Sequence, residues 1–472
     1  MNYKNLTVVI LAAGKGLRMQ SSLPKVLHCI AKKPMLGYLL ETAHALSPHK
    51  ILVIHAQSDL SQPIFDFIEH FQKSHNIDNI TLVEQPVQLG TGDAVSKALP
   101  FLDLANTDER VLILCGDAPL IEASTLERLL NMTPPKGLGL LTAYLENPTG
   151  LGRIIRNASN QIQGIVEEKD ATETQKNIHE INSGLFLVCA QHLVTWLPLL
   201  TNDNASKEYY LTDLVKLAVQ HDIEVTSCMP QFVEEILGVN DRIQQIVLER
   251  FYQKKLAQTF LKQGVWICDP SRFDLRGHLN VKSGVCIDVN VVLEGSIVVG
   301  ENTSIGPNCI LINCELGDNV QILANSYLEN AKIGDRCTIG PFARLRPGTQ
   351  LACDAKVGNF VEIKNSVIGQ QSKINHLSYI GDSEIGAKVN VGAGTITCNY
   401  DGVNKHKTII EDEVHIGSDT QLVAPVRIGK GATIAAGSTV IQDVPQNKLT
   451  VTHNINQRIK ENWQRPVKKE II

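Results

Sequence analysis

No stretch of this sequence is apolar for long. The opening "MNYKNLTVVILAAG" holds only a short apolar run before its glycine, which suits a buried strand and neither a signal peptide nor a membrane span. The eleven cysteines, an odd number, are scattered from Cys29 to Cys398 with no CxxC pair. That excludes an obvious disulfide framework or zinc site and suits free thiols in a reducing cytoplasm. Charge of either sign is not in excess: the formal net charge is -5, so nothing in the balance argues for nucleic acid. The expectation is a cytoplasmic protein that binds neither nucleic acid nor membrane. Apolar content of 43% and charged content of 20% are those of an ordinary globular chain, and 472 residues allow two large domains or three smaller ones.

Two compositions divide the chain. Up to about residue 240, short apolar runs alternate with amphipathic stretches. "TVVILAAG" (7–14), "KILVIHA" (50–56), "RVLILCGD" (110–117) and "LGLLTAYL" (138–145) read as buried strands. Strand–helix alternation predicts an α/β domain with a largely parallel sheet, whose ligands would bind at the carboxyl ends of the strands. From 241 to 264 there is no proline and no internal glycine. Ile243, Ile246, Val247, Phe251 and Leu256 recur at helical spacing, which predicts a linker helix.

Beyond it, aliphatic residues recur every sixth position. Ile287, Leu293, Val299, Ile305 and Leu311 begin the series, and Ile333, Ile339, Leu345, Leu351, Val357 and Ile363 hold it without a slip. Ile368, Ile374 and Ile380 follow one residue out of phase, and Ile410, Ile416, Leu422, Ile428, Ile434 and Val440 complete it. Neither a helix (period 3.6) nor a simple strand (period 2) needs a period of six. A solenoid does: each hexad makes one short strand and a turn, and its aliphatic residue points inward. Each such residue contributes about 1.5–3 kcal/mol on burial. The main break, "TITCNYDGVNKHKTI" (395–409), is polar and rich in turn chemistry. A loop thrown out of a regular solenoid is either a tolerated insertion or a place of function.

Three stretches in the first half carry chemistry. "LAAGKGLRM" (11–19) is a glycine-rich turn after a strand, though neither a full GxGxxG nor a P-loop. Arg18 and Lys25 follow it, suited to a triphosphate or to solvent. "LCGD" (114–117) ends a strand in an aspartate that could hold Mg²⁺ against phosphates or cap a turn. "EQPVQLGTGDA" (84–94) offers a Gly-Thr-Gly turn before a helix.

With these motifs, "LPKVLH", "GDAPL", "PTGLGRI", "EINSG" and "GVNDR" resemble the sugar nucleotidyltransferases. "GPFARLRPG", "VGNFVEIK", "HLSYIGD", "GAGTITCNYDG", "GSDTQLVAP" and "RPVKKE" extend the likeness nearly end to end. The whole resembles the bacterial family of bifunctional N-acetylglucosamine-1-phosphate uridylyltransferase / glucosamine-1-phosphate N-acetyltransferases. The resemblance implies an α/β nucleotidyltransferase (Rossmann-like) domain over 1–240 and a linker helix over 241–264. A left-handed parallel β-helix of hexapeptide repeats, the hand opposite to the usual crossover, would cover 265–455, with a basic tail at 456–472. It implies acetyl transfer from acetyl-CoA to glucosamine 1-phosphate, then uridylyl transfer from UTP, giving UDP-N-acetylglucosamine and pyrophosphate. It further implies Mg²⁺ and a homotrimer with the acetyltransferase site between subunits. Its rivals are a single-activity nucleotidyltransferase whose β-helix only regulates or oligomerises, and a structural trimer with a dead first domain.

Carried over by motif, Leu11, Ala12, Ala13, Gly14, Gln85, Gly90 and Thr91 would meet the uridine end of the nucleotide. Lys25 would neutralise phosphate, Asp117 and Asn240 would hold the metal, and Gly152, Glu167 and Asn182 would hold the sugar. Cys115 stands where the family often has an aromatic residue. In the second half, Arg346 and Lys364 would grip the sugar phosphate, with Tyr379 and Asn390 nearby. His376 would be the catalytic base. Ala393, Asn399, Tyr400, Ser418 and Ala436 would line the acetyl-CoA site. A family arginine near the coenzyme falls at His453, and the tail adds Arg458, Lys460, Arg465, Lys468 and Lys469.

Overall fold

The structure, a computed structural model, describes residues 5–14, 16–57 and 61–452. His453 and the basic tail lie outside the described residues. The chain forms two compact units, Met1–Lys255 and Leu256–Ile472.

The first unit is built on a mixed sheet. Its strands run in the order Val225–Cys228, Leu138–Tyr144, Glu180–Cys189, Arg110–Cys115, Leu6–Leu11, Lys50–Ala56 and Ile80–Gln85. Every neighbouring pair is parallel except the two made by Glu180–Cys189, which runs antiparallel to both flanking strands. Alternation along the strands fills both faces. Val8, Ile10, Ile51 and Val53 belong to one apolar cluster, while Val9, Leu52 and Ile54 belong to the other. Burial on both faces is why these strands read as unbroken apolar runs.

The helix Arg242–Lys262 contributes to both units. In the first, Leu248, Phe251 and Tyr252 join a cluster with Met19, Ile30, Met35 and Tyr38. In the second, Ala257 and Phe260 stand at the start of the solenoid core. Ile243, Ile246 and Val247, three of the apolar positions that marked the helix in the sequence, are exposed, and its buried side runs through Leu248 instead.

The second unit is a parallel β-helix. One face is an 11-stranded sheet, and a 17-stranded sheet wraps the other two. All pairings within these sheets are parallel and join residues sixteen or more apart, one coil to the next, as in Ile339↔Val357 and Val357↔Ile374. The aliphatic column is buried throughout the series, from Ile287 to Val440. Corners need a left-handed residue, and Asn290, Asn308 and Asn325 supply it at one of them with φ 59, 58 and 60. The same corner continues with Phe342, Phe360 and Leu377 at φ 56, 55 and 48, a conformation costly for bulky side chains. The phenyl rings of Phe342 and Phe360 stack at 5.4 Å.

The loop Asn399–Lys407 leaves this register without disturbing it. Ile374 pairs with Val391, seventeen residues on, whereas Val391 pairs with Ile416, twenty-five residues on. The eight extra residues fall within the loop. All eleven cysteines are free thiols. Among the described residues, no helix is long and apolar enough to cross a membrane.

Candidate active sites

At the carboxyl edge of the parallel strands a cavity of about 430 Å³ is lined by Leu11, Ala13, Gly14, Lys25, Gln85, Gly90, Thr91, Cys115 and Asp117. Ala12 lines an adjoining cavity that shares Ala13, Gly14 and Lys25. The strands can crowd here because Gly116 has no side chain: a Cβ would lie 2.4 Å from the carbonyl oxygen of Leu11. Gly90, at φ 118, is equally constrained, since a Cβ would lie 2.6 Å from the carbonyl oxygen of Tyr209. The buried Gln85 amide donates to Asp93 Oδ2 at 2.7 Å and to the Gly90 carbonyl at 3.3 Å. Gln88 Nε2 donates to the Ala13 carbonyl at 2.5 Å and ties the second turn to the first.

Three residues distant in sequence converge beside this cavity. The Lys25 ammonium donates to Asp117 Oδ2 at 2.5 Å and to Asn240 Oδ1 at 2.9 Å. Two hard oxygens already share one cation, and oxygen donors of this kind suit a hard divalent cation such as Mg²⁺. The Asp117 carbonyl accepts from Val239 N at 2.9 Å, which fixes the approach of Asn240.

Gly152, Glu167 and Asn182 form a second group in this unit. Asn182 N donates to the Gly152 carbonyl at 2.9 Å, and a Cβ on Gly152 would lie 3.4 Å from both Glu167 carboxylate oxygens. Burial pushes the Glu167 carboxyl above its usual range, with the Thr212 hydroxyl, 3.1 Å from Oε1, opposing. Oδ1 of Asn182 is buried without a protein partner, an unmet acceptor. Cys115 presents no ring. Its thiol lies 3.3 Å from the Gly184 carbonyl, and burial followed by the Asp117 charge pushes its pKa up to about 12, so it stays neutral.

In the β-helix the expected residues fall on two corners and the face between them. The pairing Asn359↔His376 starts one corner column. The registers Ile374↔Val391, Val391↔Ile416 and Ile416↔Ile434 carry it, two residues further on, to Ala393, Ser418 and Ala436. A histidine thus stands at the foot of a strip of short side chains, room for a long narrow ligand. His376 is exposed, and its Nδ1 lies 2.8 Å from Asn359 Oδ1. Asn390 is on the adjoining face, 3.4 Å from His415 Nε2.

The other corner is electropositive. Lys405, from the loop, approaches Lys364 closely enough to pull its pKa below the ordinary lysine range; desolvation and Arg346 act in the same direction and Asp382 opposes. Arg346 pairs with Glu362 at 2.9 Å. Burial would raise the Asp382 pKa, but hydrogen bonds from Asn365 (2.6 Å) and Asn399 (2.5 Å), with the charges of Lys364 and Lys405, outweigh it and hold the carboxyl low. Tyr379 and Asn399 meet over Gly381, where a Cβ would lie 2.5 Å from the phenol oxygen and 2.9 Å from the amide nitrogen. Tyr400 is exposed on the loop, its hydroxyl donating to the Gly402 carbonyl at 2.5 Å.

Residues 8–152 match the MobA-like NTP transferase domain, residues 275–361 the GMPPB C-terminal domain, and residues 407–442 six repeats of the bacterial transferase hexapeptide. Proteins named bifunctional protein GlmU from Acinetobacter baumannii strains AYE and ACICU and from Acinetobacter baylyi are each 49% identical to the chain. The alignments cover 98% of this chain and 99% of theirs. The chain belongs to the bifunctional GlmU family. As a GlmU-family member it is a bifunctional transferase of UDP-N-acetylglucosamine synthesis, with a nucleotidyltransferase unit and a hexapeptide-repeat acetyltransferase unit.

Some of what the GlmU-family fold assembles was not visible in the sequence. Gln88, Asn359, Gly381, Asp382 and Lys405 all touch expected site residues, yet none stood out. Gly381 carried a signal, a glycine inside a strand, where close approach is a standard cause. Asn359 and Asp382 carried none beyond lying one coil from His376 and Asn399.

Proposed function

We propose that the two constellations divide the synthesis of UDP-N-acetylglucosamine between them. The observation that carries this is their joint completeness: Lys25, Asp117 and Asn240 in one unit, and His376 beside a strip of short side chains in the other. The β-helix unit acetylates glucosamine 1-phosphate from acetyl-CoA, and the sheet unit transfers uridylyl from UTP to the product.

In the sheet unit Asp117 and Asn240 would hold Mg²⁺, which supplies positive charge against the phosphates. Uridylyl transfer needs no protein nucleophile: the sugar phosphate attacks the α-phosphorus in line and pyrophosphate leaves. Lys25 then neutralises charge that develops on phosphate oxygens. Glu167 and Asn182 orient the sugar.

In the β-helix unit Arg346 and Lys364 hold the sugar phosphate, with Tyr379 and Asn390 against the ring. Ala393, Asn399, Tyr400, Ser418 and Ala436 border the coenzyme. His376 takes the amine's proton as the amine attacks the thioester. The protein is a cytoplasmic homotrimer on this reading, the loop 395–409 reaching a neighbouring subunit that completes the acetyl-transfer site.

The test is an assay of the purified chain with glucosamine 1-phosphate, acetyl-CoA, UTP and Mg²⁺. UDP-N-acetylglucosamine, free coenzyme A and pyrophosphate are expected. Uridylyl transfer from N-acetylglucosamine 1-phosphate without any acetyl transfer would leave the β-helix a purely structural role.

A further inference from the structure

Asn359 sits one coil below His376 in strict register, and its Oδ1 lies 2.8 Å from Nδ1 of the imidazole. The backbone enforces this spacing. Gly358, the preceding residue, packs so tightly that a Cβ would lie 1.9 Å from the Asn375 carbonyl oxygen. One coil above, the same column offers only the methyl of Ala393. The imidazole is therefore oriented from below and left open above.

We propose that Asn359 is a positioning residue for acetyl transfer. Its amide oxygen accepts the Nδ1–H of His376 and so selects the tautomer whose Nε2 is unprotonated. A neutral imidazole with its proton on Nε2 could not act as base at the exposed edge. With Nε2 bare, the step balances. The amine nitrogen forms its bond to the acetyl carbon while Nε2 takes one amine proton. The carbon–sulfur bond breaks, and the coenzyme thiolate recovers that proton from the imidazolium. This inference rests on the acetyltransferase reading of His376.

An amide orients the ring without lending it charge. The neighbouring strands contribute few charges. Lys356–Asn359 brings Lys356 to this face and Lys373–His376 brings Lys373. Asn390–Val391 brings no charge, with His415 one coil beyond, and Tyr379–Gly381 brings the Tyr379 phenol. A carboxylate at 359 would be the nearest anion to the ring and would raise its pKa.

The experiment uses the full chain and measures both half-reactions for Asn359→Ala, Asn359→Asp and His376→Ala. Asn359→Ala is expected to lower acetyl-transfer kcat by at least about tenfold, since a wrong tautomer is costly to a histidine base. The KM for glucosamine 1-phosphate should stay within about threefold and uridylyl transfer should not change. Asn359→Asp is expected to recover most of the loss and to move the acid limb of the kcat/KM profile to higher pH. In the parent, ¹⁵N shifts of His376 are expected to report the proton on Nδ1. Asn359→Ala within threefold of the parent, an equal loss in both variants with an unmoved acid limb, or a proton found on Nε2 would each overturn the proposal. Full acetyl transfer by His376→Ala would instead overturn the acetyltransferase reading itself.

Discussion

Nζ of Lys25 stands 2.5 Å from Oδ2 of Asp117, at the edge where the parallel strands end. Lys25 is held in a cation's place, and under the proposed function the same carboxylate would partner a phosphate-bound metal. Asp117→Asn keeps the shape and removes the charge. Uridylyl transfer should fall by at least about a hundredfold, the scale of losing one preorganised electrostatic contact. Acetyl transfer should stay within twofold. Equal loss of both activities would mean that the substitution damages the fold.

Chelation should act on the same activity alone. Excess EDTA should abolish uridylyl transfer, and added Mg²⁺ should restore it, while acetyl transfer continues. An acetyl-transfer rate that also collapses with EDTA would contradict the assignment of the metal to Asp117 and Asn240.

The Lys364–Lys405 approach makes a proton-linkage prediction. Lys364 is held below the ordinary lysine range in the free protein. A phosphate dianion placed between the two ammonium groups favours the charged form and raises that pKa. The complex then binds more protons than the free protein, so affinity for glucosamine 1-phosphate should rise as pH falls through the alkaline range. Calorimetry in buffers of different ionisation enthalpy should register proton uptake. Lys405→Ala should weaken affinity about 10–100-fold, on the scale of one charge-assisted hydrogen bond. Proton release on binding would refute the arrangement.

Gly90→Ala tests the nucleotide turn. The added Cβ would lie within 3 Å of the Tyr209 backbone, at a φ of 118 that L side chains rarely adopt. Displacement of the 84–94 turn should raise the KM for UTP at least about tenfold and leave the β-helix unit unaffected. An unchanged KM would show that the turn does not meet the nucleotide.

Asp401 organises the long loop. Its carboxylate accepts from Asn404 N at 2.6 Å and Val403 N at 2.8 Å, and faces His406 Nε2 at 2.7 Å. These contacts hold its pKa below the usual carboxylate range, the Asn404 amide acting most strongly. A depressed pKa contributes stability that is present above the unfolded value, about 3.9, and is lost as pH falls below it. Pepsin should therefore begin to cut within 399–407 as pH drops below that value, while the coils on either side resist. Uniform resistance down to pH 2 would disprove the role of Asp401.

The strands of the sheet were legible because burial on both faces writes continuous apolar runs: "KILVIHA" is the strand Lys50–Ala56 itself. The solenoid was more legible still, since one inward residue per hexad leaves a period that nothing else explains. The exposed stripe Ile243, Ile246 and Val247 shows the limit of periodicity, which finds the helix without finding its buried side. That Lys25 and Asn240, 215 residues apart, serve one site came from motif likeness and not from spacing, and their hydrogen bond was not foreseen at all. Asn359 and Lys405 lay within "VGNFVEIK" and the 395–409 loop but were not singled out there, because their neighbours are set by coil register and by a loop's path.

The corner column that holds His376 also works as a ruler. Each coil raises it by one strand spacing, about 4.8 Å, so His376, Ala393, Ser418 and Ala436 mark graduations on a fixed scale. The reach of a ligand lying along that edge is set by a count of coils and not by any single side chain. Removing one whole coil would shorten the measure by one graduation and leave the chemistry at its zero mark untouched. Length and reactivity are thus separately adjustable, the first by repeats and the second by substitutions.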